Sequence, residues 1–267
     1  MRLTTLFLLF AFATFAQKTS YSVLVYTKNG PGYVHDNISS AVAAIQKLGA
    51  EKRFNVEVSD NPGVFEEQHL AKYKVIIFTS TNNDVFDTDI QRLAFRHYIE
   101  AGGGFVGVHS VTGTERKWDW FKMMVGETFT WHAKFQPFSV INIDPAHPSM
   151  KGVPTKWTKE DECYFGAELY PGIKTLLMHD VSTLDQAQKD LITKHKGVYG
   201  NYFPAAWTQQ FQGGHIWVTT LGHAKENYQE PVYLNHLWQG INYIAGQVKA
   251  IDYSKATSKG RDEGLMF

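Results

Sequence analysis

The chain is poor in cysteine and has no surplus of either charge. Cys163 is the single cysteine among 267 residues, and one cysteine cannot form an internal disulfide, a cysteine-rich zinc site or an iron–sulfur cluster. The 26 Lys and Arg residues balance 26 Asp and Glu residues. General binding to nucleic acid needs a basic surplus against the phosphates, so we expect no nucleic-acid partner.

Aromatic and histidine side chains are abundant instead, with 7 Trp, 13 Tyr, 18 Phe and 11 His. The apolar fraction of 43% is too high for a disordered chain. The length fits one large domain or two small ones, with a core large enough to be stable without disulfides.

The first residues have the pattern of an export signal. Arg2 provides a positive charge, an apolar run follows from Leu6 to Phe15, and Ala16 ends a stretch of small residues. The run is short for a membrane span and has no stop-transfer flank, and the alternative is a buried N-terminal helix or strand. We predict a cleaved signal peptide at residues 1–16 and a periplasmic or secreted protein without a membrane anchor.

Strand-like and helix-like segments alternate in the first half of the chain. Apolar runs predict strands at 21–26, 55–58, 75–79 and 105–108. Asp36 is a candidate cap for one of the helices between them, and Thr88 or Asp87 for another. This order predicts an α/β fold with a doubly wound, mainly parallel sheet and helices on both faces.

The second half is less regular and predicts long inserted loops. Strands are expected at 138–143, 173–179 and 214–220, and a last helix at 231–245. No linker divides the chain, so we predict one domain over residues 17–253. A frayed polar tail is expected at 254–267.

Polar loops follow three of the predicted parallel strands. Ligands bind at the carboxyl ends of the strands in such sheets. His109 is the strongest candidate because it directly follows a buried strand, whereas Asp36 is better explained as a helix cap. The candidates for one shared cleft are Tyr33, His35, Asp36, Asn82, Asn83, His109, Ser110 and Glu115.

The second half adds a polar and aromatic group of candidates. Aromatic faces stack on sugar rings, while histidine and lysine act on hydroxyls and carboxylates. No His-Glu-x-x-His motif occurs, so a divalent-metal site would have to be assembled by the fold, and the spacing predicts no cofactor. These candidates are Trp131, His132, Lys134, Asp161, Glu162, Tyr164 and His223.

Several motifs occur together over residues 22–245. They are His35-Asp36, GGGFVGVHSVTGTE at 102–115, Trp118-x-Trp120, MVGETFTWHAKFQP at 124–137, DPAHP at 144–148, TKEDECYF at 158–165 and LGHAKENY at 221–228. With this combination the chain resembles the ThuA-like, or trehalose-utilisation, family. The resemblance implies a class I glutamine-amidotransferase-like fold and a role in carbohydrate utilisation. The amidotransferases carry a cysteine where this chain has His109-Ser110, which excludes glutamine hydrolysis by a thiolate here.

Some exported relatives of the family resemble lyases or dehydratases that act on uronic-acid oligosaccharides. Such β-elimination needs a base, an acid and a group that neutralises the carboxylate. We assign the base to His132 or His109 and the acid to Tyr164 or Tyr33. Lys134 or a neutral histidine would hold the carboxylate. The expected partner is an oligosaccharide, and a homo-oligomer is compatible with the sequence.

Two other functions stay open at this point. A glycoside hydrolase needs two carboxylates that flank the bond. Asp161 and Glu162 would point apart on a strand, so they form a poor catalytic pair unless Glu115, Glu168 or Asp36 joins one of them. A non-catalytic sugar-binding domain would show aromatic platforms without a clustered base. Convergence of His109, His132 and His223 in one pocket would favour acid–base catalysis.

Overall fold

The computed structural model describes residues 21–194 and 200–264. The predicted signal peptide at residues 1–16 therefore lies outside the described residues. Within the described part of the chain, no helix is both long enough and apolar enough to cross a membrane.

In the described residues, eleven strands form one large sheet and one small one. In chain order they are β1 Ser22–Tyr26, β2 Asn55–Ser59, β3 Val75–Thr79, β4 Gly104–Val108, β5 Glu127–His132, β6 Gln136–Asn142, β7 Lys156–Asp161, β8 Tyr164–Leu169, β9 Lys174–Asp180, β10 Tyr202–Phe211 and β11 Gly214–Thr219. The large sheet has the order β2-β1-β3-β4-β11-β10-β9-β6-β7, and β5 pairs with β8 in the small sheet.

Helices cover both faces of the large sheet. They are α1 Ile38–Lys52, α2 Glu67–Leu70, α3 Asp89–Glu100, α4 Asp119–Val125, α5 Gln186–Lys194 and α6 Pro231–Gln247. Successive residues of a strand point to opposite faces. Accordingly Val23 and Val25 join a core with Ile45 of α1, whereas Leu24 and Tyr26 join a second core that includes residues of α3 and α4.

The predicted α/β class is confirmed, and the sheet is mixed. Strands β2, β1, β3, β4 and β11 are parallel to one another, while β10, β9, β6 and β7 extend the sheet by antiparallel pairs. The direction reverses at a tight hairpin between β10 and β11, where Gln212 and Gly213 have φ values of 45° and 96°. The amidotransferase-like parallel half thus carries an antiparallel extension.

One of the two predicted helix caps is confirmed. The Thr88 side chain accepts a hydrogen bond from the Gln91 backbone in a capping box at the start of α3. Asp36 does not cap α1, because the chain enters that helix one residue later, at Asn37. The Asp36 carboxylate instead lies in solvent, 2.7 Å from the Lys225 ammonium.

The predicted frayed tail is wrong for residues 254–264, which dock on α3. The Arg96 guanidinium donates to the carbonyls of Arg261 at 2.8 Å and Glu263 at 2.7 Å. The Glu100 carboxylate accepts the Thr257 N–H at 3.1 Å. The Trp118 indole also donates to the Arg261 carbonyl, so main-chain contacts hold this segment in place.

Strained loops follow the parallel strands at their carboxyl ends. Ser80, Asn83, His109 and Glu115 have φ values of 50°, 57°, 58° and 48°. Residues other than glycine rarely adopt this left-handed conformation, and it concentrates at functional sites. These loops, together with those after β1 and β11, form the edge of the sheet where ligands were expected.

Candidate active site

A cavity of about 440 Å³ opens at this edge of the sheet. Its volume lies within the range of small-molecule sites. The small sheet of β5 and β8 forms part of its wall, because His132, Glu162 and Tyr164 belong to or flank those strands. The lining residues are Tyr33, His35, Asn82, Ser110, Gly113, Arg116, Phe129, His132, Glu162, Tyr164 and His223.

His109 lies fully buried behind the cavity, directly after β4. Its Nδ1 is 3.0 Å from the Thr220 carbonyl oxygen. A carbonyl can only accept, so Nδ1 carries the proton and Nε2 keeps its lone pair. Nε2 lies 3.1 Å from the Tyr164 hydroxyl and 3.4 Å from Nδ1 of His223. Burial and the neighbouring His35 lower the pKa of His109 well below its ordinary value.

His35 is held in a similar way by Ser110. The Ser110 hydroxyl donates to the Thr81 carbonyl at 3.0 Å, so its oxygen accepts the Nδ1–H of His35 at 3.2 Å. Burial, followed by the nearby His223, lowers the pKa of His35 to about 4. His35 is therefore a neutral imidazole whose Nε2 keeps its lone pair.

His223 is positioned by a buried carboxylate beneath the cavity. Asp161 accepts the backbone N–H groups of Gly222 at 2.7 Å and His223 at 3.0 Å. The Asn37 amide donates to the carbonyls of the same two residues. Gly222 has a φ of 113°, and a Cβ there would lie 2.1 Å from the Tyr233 hydroxyl. The loop that presents His223 therefore requires glycine.

Glu162 links two of the histidines. Its carboxylate oxygens lie 3.3 Å from Nδ1 of His132 and 3.0 Å from Nδ1 of His223. Burial lowers the pKa of His223, but the hydrogen bond and charge of Glu162 outweigh that effect and leave it raised. His132 and His223 thus line one cavity, and His109, behind the lining, contacts His223. This is the clustering of histidines that the acid–base hypothesis requires.

Tyr164 faces the histidines from the small sheet. The register of β5 and β8 places it opposite His132, with their ring centroids 5.7 Å apart. Burial raises the pKa of the Tyr164 phenol well above its ordinary value. The hydroxyl therefore stays protonated and donates a hydrogen bond to Nε2 of His109.

Arg116 is a cavity residue that the sequence did not predict. Its guanidinium lines the cavity, donates to the Gly113 carbonyl at 3.0 Å and to the Asn82 side chain at 3.3 Å, and lies 5.5 Å from the Phe129 ring. It is the single lysine or arginine among the residues that line the cavity. The polar loop after β4 indicated this region, but the predicted candidates ended at the preceding Glu115.

Several predicted site residues do not line the cavity. Glu115 pairs with Arg92 at 2.8 Å and accepts the Val85 N–H, so its role is structural. Trp131 stacks on Phe165 with centroids 5.3 Å apart. Residues that the structure places outside the cavity lining are Asp36, Asn83, His109, Glu115, Trp131, Lys134 and Asp161. Those that it brings to the lining are Tyr33, His35, Asn82, Ser110, His132, Glu162, Tyr164 and His223.

The cavity offers acid–base groups and metal donors but no thiol. Cys163 is fully buried, and burial raises the pKa of its thiol well above the ordinary value. One donor atom each from His35, His109, Glu162 and His223 lies within 4.8 Å of the other three.

Comparison with protein families gives one match that covers most of the chain. The family model described as "ThuA: Trehalose utilisation" matches residues 22–244. No curated protein matches the sequence significantly.

Solved structures show the same fold at low sequence identity. A ThuA-like protein from Bacteroides uniformis has a TM-score of 0.73 and 21% identity, covering 91% of this chain and 98% of its own. One from Parabacteroides merdae has a TM-score of 0.66 and 20% identity, covering 88% and 98%. A GMP synthase protein from Thermoplasma acidophilum has a TM-score of 0.52 and 9% identity, covering 85% and 94%. These likenesses confirm the amidotransferase-like fold.

Proposed function

The chain belongs to the ThuA, or trehalose utilisation, family, and we propose that it is a carbohydrate-active lyase or dehydratase. Its substrates are uronic-acid-containing oligosaccharides, and its reaction is a β-elimination. The observation that carries the proposal is one cavity that holds a clustered base, a phenol and a guanidinium: His132, Tyr164 and Arg116. The export signal in the sequence, with a periplasmic or secreted location, belongs to the same proposal.

Arg116 supplies the carboxylate site for which Lys134 or a neutral histidine was expected. A guanidinium presents several donors in a planar fork that matches a carboxylate. Two of the Arg116 contacts are to Gly113 and Asn82, which hold the group at the wall of the cavity. Lys134 is exposed and lies outside the lining. Arg116 therefore balances the charge of the uronate carboxylate and stabilises the negative charge that develops beside it during the reaction.

His132 acts as the base. Its Nδ1 lies 3.0 Å from the Ala133 carbonyl, which fixes the proton on Nδ1 and leaves Nε2 to accept another. Glu162 lies 3.3 Å from the same Nδ1 and stabilises the imidazolium that forms, as the third member of a catalytic triad does.

Tyr164 acts as the acid, and the atoms balance without a nucleophile. His132 removes the proton from the carbon next to the carboxylate, and that electron pair forms the carbon–carbon double bond. The bond from the adjacent carbon to its oxygen breaks, and Tyr164 protonates the departing oxygen. If that oxygen is glycosidic the reaction is a lyase cleavage, and if it is a hydroxyl the reaction is a dehydration.

Hydrolysis is less well supported by the same cavity. A glycoside hydrolase needs two carboxyl groups on either side of the bond. Among the described residues that line the cavity, Glu162 is the one acidic side chain. Asp161 lies buried beneath it and binds the backbone of Gly222 and His223, so it does not complete a pair.

The test is incubation with a panel of uronic-acid and neutral oligosaccharides. We expect unsaturated products from the uronic acids, seen as ultraviolet absorbance and as fragments that lack one water relative to hydrolysis products. His132→Ala and Arg116→Ala should each lower kcat/KM by at least about 100-fold, the loss typical of a removed acid–base group.

Matched controls separate the cavity from its surroundings. His69→Ala and Lys134→Ala remove a histidine and a basic side chain outside the cavity lining and should keep activity close to that of the parent protein. Products that gain one water, or full activity in both His132→Ala and Arg116→Ala, would contradict the proposal.

A further inference from the structure

We propose that His35, His109, His223 and Glu162 bind one divalent transition metal ion, with zinc as the favoured ion. The site lies at the base of the cavity described above. The metal's part in catalysis rests on the proposed function, whereas its binding does not depend on any reaction.

The donor set is that of a catalytic zinc site. Three imidazoles and one carboxylate are ligands that zinc takes in tetrahedral or five-coordinate sites. Zinc–nitrogen bonds of 2.0–2.1 Å place tetrahedral donors about 3.4 Å apart. Nδ1 of His223 already lies 3.4 Å from Nε2 of His109 and 3.0 Å from Glu162.

The whole set needs only a small contraction to reach this geometry. The four donor atoms lie within 4.8 Å of one another. Side-chain movements of about 1 Å would bring them to the donor–donor separation of a zinc site. The rings of His35 and His109 are 4.5 Å apart, and that of His223 lies 5.6 and 5.3 Å from them. All four side chains come from loops or strand ends at one edge of the sheet.

Hydrogen bonds to the second ring nitrogen orient His35 and His109 in the way that is typical of metal-bound histidines. Metal-bound histidines almost always donate their other ring N–H to a backbone carbonyl, a carboxylate or water. His109 donates Nδ1–H to the Thr220 carbonyl. His35 donates Nδ1–H to the Ser110 hydroxyl, which in turn donates to the Thr81 carbonyl. In both rings Nε2 carries no proton; that of His109 accepts the Tyr164 hydroxyl, a contact that a bound ion would replace.

The backbone conformation of His109 is a second sign of a constrained site. Its φ of 58° places a bulky residue in the left-handed region, at a cost of about 1–3 kcal/mol. The residue lies directly after β4, and its Nε2 reaches the group formed by His223 and Tyr164. A ligand that binds this group explains why the strained conformation is kept.

A zinc ion held by these four donors would need to expand to five-coordination to add a position that faces the cavity. Catalytic zinc sites keep such a position for substrate or water, and a metal there would polarise an oxygen of the substrate as a Lewis acid. His132 and Arg116 line the same cavity and stay available for the roles proposed above.

Metal binding is measured directly on chelator-treated full-length protein. We expect one Zn²⁺ per chain by calorimetry and by metal analysis after dialysis. Co²⁺ should bind at the same stoichiometry and give the intense visible bands of a tetrahedral site with nitrogen and oxygen ligands. Zinc should also raise the melting temperature, because an ion that binds the folded state stabilises it.

Variants assign the binding to these residues. His223→Ala and Glu162→Gln should each weaken zinc binding by more than about 100-fold, and Ser110→Ala by about 10-fold as an outer contact. Circular dichroism checks that each variant folds, and Glu162→Gln keeps the shape of the side chain if His223→Ala fails that check. His69→Ala, at a half-buried histidine beside Glu57, should bind zinc as the parent protein does.

The outcomes separate this inference from the proposed function. Absence of zinc binding to the folded parent protein, or unchanged affinity in His223→Ala and Glu162→Gln, would overturn the metal site. One zinc per chain that is lost in those variants supports the site, even if no uronic-acid oligosaccharide reacts. In that case the proposed lyase function fails and the metal site stands.

Discussion

At the scale of single residues, side-chain type was easier to predict than side-chain direction. His35 was a candidate because it lies in the loop after the first predicted strand, whereas His132, Glu162 and Tyr164 belong to polar and aromatic segments. All four line the cavity. Lys134 was chosen because alternate residues of an extended segment share a side. The segment ends at His132 as a strand, so that rule no longer applies two residues later.

Arg116 could not have been located in the same way. It follows a residue with positive φ, Glu115, and its guanidinium reaches back to the Gly113 carbonyl. A reversal of this kind depends on backbone angles that a single sequence does not reveal. Residue types therefore predict which chemical groups are present, whereas the direction of each side chain depends on the fold.

Glu127 illustrates an unexpected residue whose effect can be measured. Its side chain is 1% exposed, and neither carboxylate oxygen has a hydrogen-bond partner among the described residues. Burial raises its pKa from the ordinary 4.5 to about 8. The folded state therefore holds one more proton than the unfolded state between these two pH values.

Stability should fall as the pH rises through that window. Unfolding releases the proton of Glu127 between pH 4.5 and about 8, so the free energy of unfolding decreases by up to about 1.4 kcal/mol per pH unit there. Glu127→Gln removes this dependence and should be the more stable protein at pH 8.5. Urea unfolding of both proteins from pH 4 to 9 measures the difference, in which other titrating groups cancel. Parallel stability profiles would show that Glu127 is ionised in the folded state.

At the scale of elements, all strands of the parallel half were predicted, whereas in the antiparallel half β6 and β9 were predicted and other strands were not. The run Val75–Thr79 was predicted and observed as β3, because a strand buried on both faces is continuously apolar. Strands β7 and β8 were not predicted. Their residues include Lys159, Asp161 and Glu168, and a charged strand has no local apolar signature.

The loop after β11 is an element whose geometry depends on one glycine. Gly222 has a φ of 113°, and a Cβ would meet the hydroxyls of Tyr233 at 2.1 Å and Tyr228 at 2.9 Å. Gly222→Ala should lower the free energy of unfolding by about 3 kcal/mol or more, from backbone strain and this clash together. It should also displace His223 and reduce activity.

A double-mutant cycle separates the clash from the strain. Tyr233→Phe removes the hydroxyl that the new Cβ would meet, so Gly222→Ala should cost less in that background. Gly246→Ala is the matched control, since nothing lies within 4 Å of its Cβ position in α6; it should be neutral or stabilise by up to about 1 kcal/mol. Equal costs in both Tyr233 backgrounds would show that the hydroxyl is not the obstacle.

At the scale of the whole molecule, the predicted one-domain organisation is compatible with the sheet, which continues from the first half of the chain into the second. Strands β4 and β11 pair in parallel although about a hundred residues separate them, with His215 opposite Gly104. That pairing brings the loop of His223 beside His109. A contact between such distant segments leaves no periodic pattern in the sequence. From the sequence, the convergence of the histidines is therefore only a hypothesis, and the fold is needed to test it.

The docked tail is a long-range contact of the same kind, and removing it gives the last prediction. A chain that ends at Tyr253 loses the carbonyls of Gly260, Arg261 and Glu263 that accept from Arg96, and the Glu100 carboxylate loses its backbone donors. Arg96 is 3% exposed with the tail in place. In the shortened chain its guanidinium keeps Glu100 but exchanges the three carbonyls for water.

Each hydrogen bond to a charged group contributes about 1.5–3 kcal/mol, so the shortened chain should lose several kcal/mol of stability. At about 2–4 °C per kcal/mol for a protein of this size, the melting temperature should fall by roughly 10 °C, as measured by circular dichroism. Arg261→Ala keeps the backbone carbonyl and removes only exposed ion pairs with Asp89 and Asp262, which contribute little. It should melt within about 2 °C of the parent protein. If the shortened chain melts at the parent temperature, the tail adds nothing to the folded domain and the prediction is wrong.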